Sequence, residues 1–147
     1  MWEIREPGEK ELVSICDMEK VSFSDAWSLK GIEDTSKRKE ALILAAYDEE
    51  KIIGYVIAYF GGDEGEIMRL CVKDEYRRKK VASQLLLSLE SKAEDREIRK
   101  IFLEVRESNE EGISFYTDYG FLKDGLRLNF YDNPKEAAIL MSRELGK

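Results

Sequence analysis

Apolar residues recur along this chain at two different spacings, and the switches between them mark out its elements. Residues 2–5 read as a short first strand closed by Pro7-Gly8. Over residues 9–21, Leu12, Ile15, Cys16 and Met18 return at helical spacing. Ser24-Asp25 supplies an N-cap that predicts a second helix running to residue 38. Residues 41–47 and 52–60 are β-rich runs joined across Asp48-Glu49-Glu50, the pattern of a hairpin. Gly61-Gly62 ends that pair, and residues 66–72 predict another strand. Val81, Leu85, Leu89 and Ala93, with Leu86 widening the stripe, then describe an amphipathic helix. A strand at 100–105, a helix over Glu110–Tyr119 stopped by Gly120, and strands at 122–128 and 137–143 complete the chain. An antiparallel meander interleaved with crossover helices predicts an α/β fold with one mixed sheet.

There is no internal repeat or Pro/Gly/Ser linker, and only Pro7 and Pro134 occur, so residues 1–147 are expected to form a single domain. Trp2, Glu3, Glu6 and Glu9 do not make the basic-then-apolar pattern of a secretory leader, and no apolar run approaches bilayer length. Cys16 and Cys71 stand apart with no CxxC pair, as expected of buried thiols in a reducing cytoplasm and not of a metal site.

The chain contains no histidine. That removes Ser-His-Asp and Cys-His nucleophilic catalysis and the histidine-based zinc and iron sites, and it leaves proton transfer to Glu, Asp, Tyr, Cys, Lys or water. A net charge of −7 is a poor match to nucleic acid or an anionic membrane and suits a cationic substrate.

Against that acidic background, four basic residues stand in a row, Arg77, Arg78, Lys79 and Lys80, between a strand and a helix. The first N–H groups of a helix lack internal partners and, with the helix dipole, favour an anion such as a pyrophosphate. A plain solvated basic face is the other reading of such a run. The surrounding spacing resembles the cofactor-binding motif of the GNAT superfamily of acetyltransferases. Val72 and Tyr76 precede it, Arg77 fills its first position and Ala82 its last, while Lys80 replaces its central glycine. Farther on, Leu103-Glu-Val-Arg-Glu-Ser-Asn109, Ile113-Ser-Phe-Tyr116 and Tyr119-Gly-Phe121 resemble the second motif of the ribosomal-protein alanine N-acetyltransferases within that superfamily. Phe23-Ser-Asp-Ala-Trp27-Ser28 and Arg127-Leu-Asn-Phe-Tyr131 are similar to further segments of the same group.

The resemblance implies a mixed, mostly antiparallel seven-stranded sheet flanked by about four helices, and transfer of acetyl from acetyl-CoA to the α-amine of a protein or peptide N-terminus, with no metal. It implies that Leu70, Cys71 and Val72 pair their backbone with the pantetheine arm. Arg77, Arg78, Lys79, Lys80, Val81, Ala82 and Ser83 would hold the phosphates, and Asn109 the arm. Glu104 would be general base and Tyr116 general acid, with Trp27 and Tyr131 walling the peptide groove and a Leu70–Val72 N–H receiving the oxyanion.

The residues themselves add three expectations. Alternation puts Ile101, Leu103 and Val105 on one face and Glu104 beside Phe102 on the other, with Arg69 or Arg106 as the cation available to pair it and burial raising its pKa. Lys80 is expected to begin its helix in ordinary right-handed geometry with its ammonium near a phosphate, the competing account being that its Cβ obstructs the approach of the phosphate. Cys71 has no activating base, so direct transfer without an acetyl-enzyme is expected. The alternatives are a lysine or small-molecule amine as acceptor, or a CoA-binding regulatory module without turnover.

Overall fold

All seven strands fall into one sheet in the order β1-β2-β3-β4-β5-β7-β6, as seen in a computed structural model that describes residues 2–146. Along the chain these are β1 (Glu3–Arg5), α1 (Leu12–Ser22), α2 (Leu29–Ser36), β2 (Ala41–Asp48), β3 (Lys51–Gly61), β4 (Glu64–Val72), α3 (Val81–Asp95), β5 (Lys100–Arg106), α4 (Glu110–Tyr119), β6 (Leu122–Tyr131) and β7 (Glu136–Glu144). The fold is therefore the α/β one expected, seven strands and four α-helices with every neighbouring pair antiparallel except β4–β5. No helix among the described residues is long and apolar enough to cross a membrane.

Apolar residues on both faces of β2 and β3 explain why those strands read as nearly continuous hydrophobic runs: each is covered twice. Leu42, Leu44, Val56 and Ala58 meet α3 and α4 in one core. Ile43, Ala45, Tyr55 and Ile57 meet α1 and α2 in the other. On α3, Leu85, Leu86 and Leu89 are fully buried, and burying each stabilises the fold by about 1.5–3 kcal/mol.

Two local features set up the site. The β4–β5 ladder runs only from Glu64↔Lys100 to Ile67↔Leu103, so beyond Ile67 the two strands diverge and the backbone of residues 68–72 on that side has no strand partner. Within β4 the register against β3 slips between Arg69↔Ile57 and Ile67↔Ala58, leaving Met68 as an extra residue. That bulge reverses the alternation. Ile67 packs with α3 and α4, and past it Cys71 packs with α1 and α2 while Leu70 and Val72 take over the first face.

The second helix departs from its expected start. Its N-cap is Ser28, whose Oγ accepts from Gly31 N at 3.0 Å. The earlier Ser24-Asp25 is not free to cap, because Asp25 binds Arg69 through both its carbonyl and its carboxylate.

Candidate active site

Where β4 and β5 part, a cleft of about 1110 Å³ opens between the α1–α2 loop, α3, α4 and the end of β6. Of the side chains expected at a site, Trp27, Leu70, Cys71, Val72, Arg77, Arg78, Lys80, Val81, Ala82, Ser83, Glu104, Asn109, Tyr116 and Tyr131 all line it. Lys79 does not. Its carbonyl accepts from the Trp2 indole at 3.1 Å, and its ammonium lies 5.5 Å from the Tyr76 ring, outside the cleft.

The reason lies in the backbone of the turn. Arg78 (φ 63°) and Lys80 (φ 66°) are both left-handed. The expectation of right-handed geometry at Lys80 is thus wrong. Reversing the backbone on either side of Lys79 aims Arg78 and Lys80 inward and Lys79 outward. It also costs roughly 1–2 kcal/mol at each non-glycine residue. The first helical bond of α3 is Gln84 N to Lys80 O, so the N–H groups of Val81, Ala82 and Ser83 have no intrahelical acceptor. Gly54 on β3 lets the helix sit this close: a Cβ there would lie 3.0 Å from Cys71 O and 3.1 Å from Val81 Cγ1. Arg77 is already engaged, 3.3 Å from Asp74 and 3.1 Å from Glu111 at the start of α4, which ties the turn to that helix.

At the other end, β5 alternates as expected, with Ile101, Leu103 and Val105 buried and Glu104 facing the cleft. The cation on Glu104 is neither Arg69 nor Arg106 but Arg127, at 3.0 Å from Oε2. The two expected partners are taken by other carboxylates. Arg69 binds Glu19 at 3.3 Å and Asp25 at 3.0 Å and covers the Phe23 ring at 4.1 Å. Arg106 binds Glu136 at 3.1 Å, caps the 132–135 loop through the carbonyls of Asp132 and Pro134, and lies 4.4 Å above the Tyr131 ring. Glu136's carboxyl is held below its ordinary range, first by the Ser108 hydroxyl and further by the Arg106 guanidinium.

Tyr116 sits on α4 with Phe115 and Phe121 edge-on to its ring. Its hydroxyl has no hydrogen-bond partner among the described residues, and burial above all pushes its pKa up, so it is a protonated phenol at neutral pH. Tyr131 is pushed up to about 12, by burial and then by the negative charge of Glu104. Asn109 caps α4 with its side-chain oxygen on Gly112 N at 2.9 Å, leaving the amide nitrogen for a ligand. Burial raises the Cys71 thiol, which bonds Ser22 Oγ at 3.3 Å, so a nucleophilic thiolate is disfavoured there.

Two carboxylates escaped sequence reasoning. Glu19 is fully buried under the cleft wall, taking bonds from the Tyr55 hydroxyl (2.5 Å), Trp27 N (2.9 Å) and Arg69 Nε (3.3 Å). It fixes Trp27 and the α1–α2 loop against β4. Glu66 lines the cleft on β4, and its pKa is raised by burial first and then by the charge of Glu104. Among the described residues no group of three or more Cys, Asp or Glu is placed to hold a metal ion.

This arrangement can hold an extended ligand along a strand edge, an anion at the turn before α3, and an acid and a base at the far end. The profile of the family described as Acetyltransferase (GNAT) family matches residues 12–121. A ribosomal protein bS18-alanine N-acetyltransferase of Haemophilus ducreyi is 27% identical over 137 residues, covering 91% of this chain and 94% of its own. A spermidine N(1)-acetyltransferase of Thermoplasma acidophilum is 30% identical over 99 residues, 67% of this chain and 62% of that one. The solved ribosomal-protein-S18-alanine N-acetyltransferase from Escherichia coli is similar over 100% of this chain and 96% of its own, with a TM-score of 0.89 and 25% identity.

Proposed function

The chain belongs to the acetyltransferase (GNAT) family, and on that premise we propose that it transfers acetyl from acetyl-CoA directly to the α-amino group of a protein N-terminus in the cytoplasm. The observation that carries this reading is the meeting, in one cleft, of a protonated phenol (Tyr116), a strand carboxylate (Glu104) and the unpaired edge of β4. Two relatives named as ribosomal-protein alanine N-acetyltransferases match 91% and 100% of the chain, against 67% for the spermidine acetyltransferase, and this favours a protein terminus over other amines.

In this reading the edge at Leu70, Cys71 and Val72 pairs with the pantetheine arm as an added strand would. Asn109 offers its amide nitrogen to the same arm. Arg78, Lys80 and the open N–H groups of Val81, Ala82 and Ser83 receive the phosphates, while Arg77 braces the turn against α4. Glu104 takes the proton of the incoming α-ammonium, whose pKa of about 8 is within reach of a carboxylate acting directly or through water. A Leu70–Val72 N–H stabilises the oxyanion, and Tyr116 gives its proton to the departing thiolate sulfur. Trp27 and Tyr131 flank the acceptor chain.

The test is transfer from acetyl-CoA to short peptides of varied first residue, each with a free or a blocked terminus, alongside spermidine. Acetylation confined to free α-amines is expected. Equal rates on blocked peptides carrying an internal lysine, or on spermidine, would move the assignment to side-chain or polyamine acceptors.

A further inference from the structure

The cationic side chains near the acceptor end of the cleft are all matched. Arg69 is held by Glu19 and Asp25, Arg106 by Glu136, and Arg127 by Glu104. Glu66 has no ion-pair partner of its own among the described residues. The sheet puts it beside Glu104. On the last rungs before β4 and β5 diverge, Glu66 is level with Phe102, and Glu104 is the next residue on that same face. Both carboxylates line the cleft, and the pKa of Glu66 is raised by burial first and then by the charge of Glu104 and a side-chain hydrogen bond with it.

We infer that Glu66 and Glu104 form one amine-binding carboxylate pair, which selects a cationic acceptor and of which Glu66 is the second, so far unassigned, member. The inference rests on the acetyl-transfer reading and names the acceptor's charge as what that site recognises. Two neighbouring carboxylates repel each other when both are ionised, and a single cation, Arg127 on Glu104, offsets this only in part, so the empty pair holds a proton more readily than a lone carboxylate does. An ammonium supplies the charge that lets that proton leave to solvent. Glu66 then accepts one N–H of the amine, and Glu104 takes the proton that nitrogen must lose before it attacks. The tetrahedral intermediate's second N–H proton is lost as the thiolate is protonated, so the net reaction releases one proton.

The other charged or titratable groups bearing on the pair come from several elements. Arg127 on β6 favours the ionised forms, and Tyr131 stays neutral. Lys100 on β5 covers Phe102 at 5.1 Å, and Tyr59, level with Glu66 on β3, is tied to Thr35 at 3.0 Å. Raised pKa values follow from burial and like charge at Glu66, in keeping with this account.

Carbon-13 titration of glutamate carboxyls in the protein alone tests the pair without reference to turnover. One carboxyl should titrate above the rest and return to the ordinary range in both Glu66→Gln and Glu104→Gln. A second arm follows acetyl transfer to an alanine-starting peptide from pH 5 to pH 9. Glu66→Gln should raise KM by about tenfold, the loss of one charged hydrogen bond, with a smaller change in kcat. Its acid limb of kcat/KM should move to lower pH, because the like charge is gone. No high-titrating carboxyl in the wild type, or a Glu66→Gln variant with wild-type KM and acid limb, overturns the inference. If the wild type acetylates no amine, the proposed function falls, and the carboxyl titration alone decides whether the pair exists.

Discussion

Arg127, on the outermost strand β6, reaches past β7 to place its guanidinium 3.0 Å from Glu104 Oε2 on β5. The proposed base is thus held by a cation that is itself more than half exposed, with 56% of its side chain in solvent. Such a contact contributes little to stability, and its value lies in fixing the carboxylate's direction and in setting local charge.

Arg127→Gln is therefore expected to leave the melting temperature within about 2 °C of wild type, as for a surface pair worth less than about 1 kcal/mol. Its effect belongs in the pH profile. Arg127 opposes the upward shift of Glu66, so its removal raises that carboxyl further. The protonated pair then persists to higher pH, and the acid limb of kcat/KM moves up. A limb displaced downward would count against Arg127 acting on these carboxylates.

Glu104→Gln and Tyr116→Phe should each lower kcat by roughly 10²–10⁴-fold, the range for loss of one acid or base. Affinity for acetyl-CoA, measured calorimetrically, should change little in either. The Glu104→Gln deficit should shrink as pH rises past the amine's own pKa of about 8, since the acceptor then arrives deprotonated. Tyr116→Phe should show no such recovery, because its proposed role is to protonate the leaving sulfur. Wild-type turnover in either variant would remove that residue from the mechanism.

Lys80 offers a separation of backbone from charge. Its left-handed φ of 66° penalises every side chain but glycine's. Lys80→Gly should raise the melting temperature by about 2–4 °C, corresponding to about 1 kcal/mol. Lys80→Ala keeps the strain and should show no rise. If the ammonium contacts a phosphate, both variants bind acetyl-CoA more weakly, and the gap to wild type narrows at high salt. Tighter binding by the glycine variant alone would mean that the Cβ, not the charge, governs the turn.

The sequence made most of the frame legible because local signals and tertiary demands agree there. The limits of α4 follow from Asn109 as cap and Gly120, left-handed at φ 118°, as stop. The faces of β5 follow from simple alternation. What stayed hidden depends on partners remote along the chain. Glu19 reads as an ordinary polar position on α1, and only the approach of Tyr55 and Arg69, 36 and 50 residues away, makes it a buried hub. Because Arg69 is consumed there and Arg106 binds Glu136, Glu104 turns to Arg127. The inward and outward turns of residues 77–80 depend on φ signs that four consecutive basic residues do not announce.

The early end of the β4–β5 ladder carries a consequence for how such a protein can change. The groove it opens is walled by main chain, so substitutions along residues 68–72 alter its lining without abolishing it. On the proposed reading, the side chains flanking the acceptor beyond its amine come from the two loops held on either side: residues 23–28, pinned through Glu19 and Arg69, and residues 132–135, pinned through Arg106. Each loop hangs on a few polar bolts set into rigid strands and a helix. If that reading holds, mutation would redraw the mouth of the cleft piecemeal while the turn before α3 and the open edge of β4 stay intact, separating changes of selectivity from changes to the donor site.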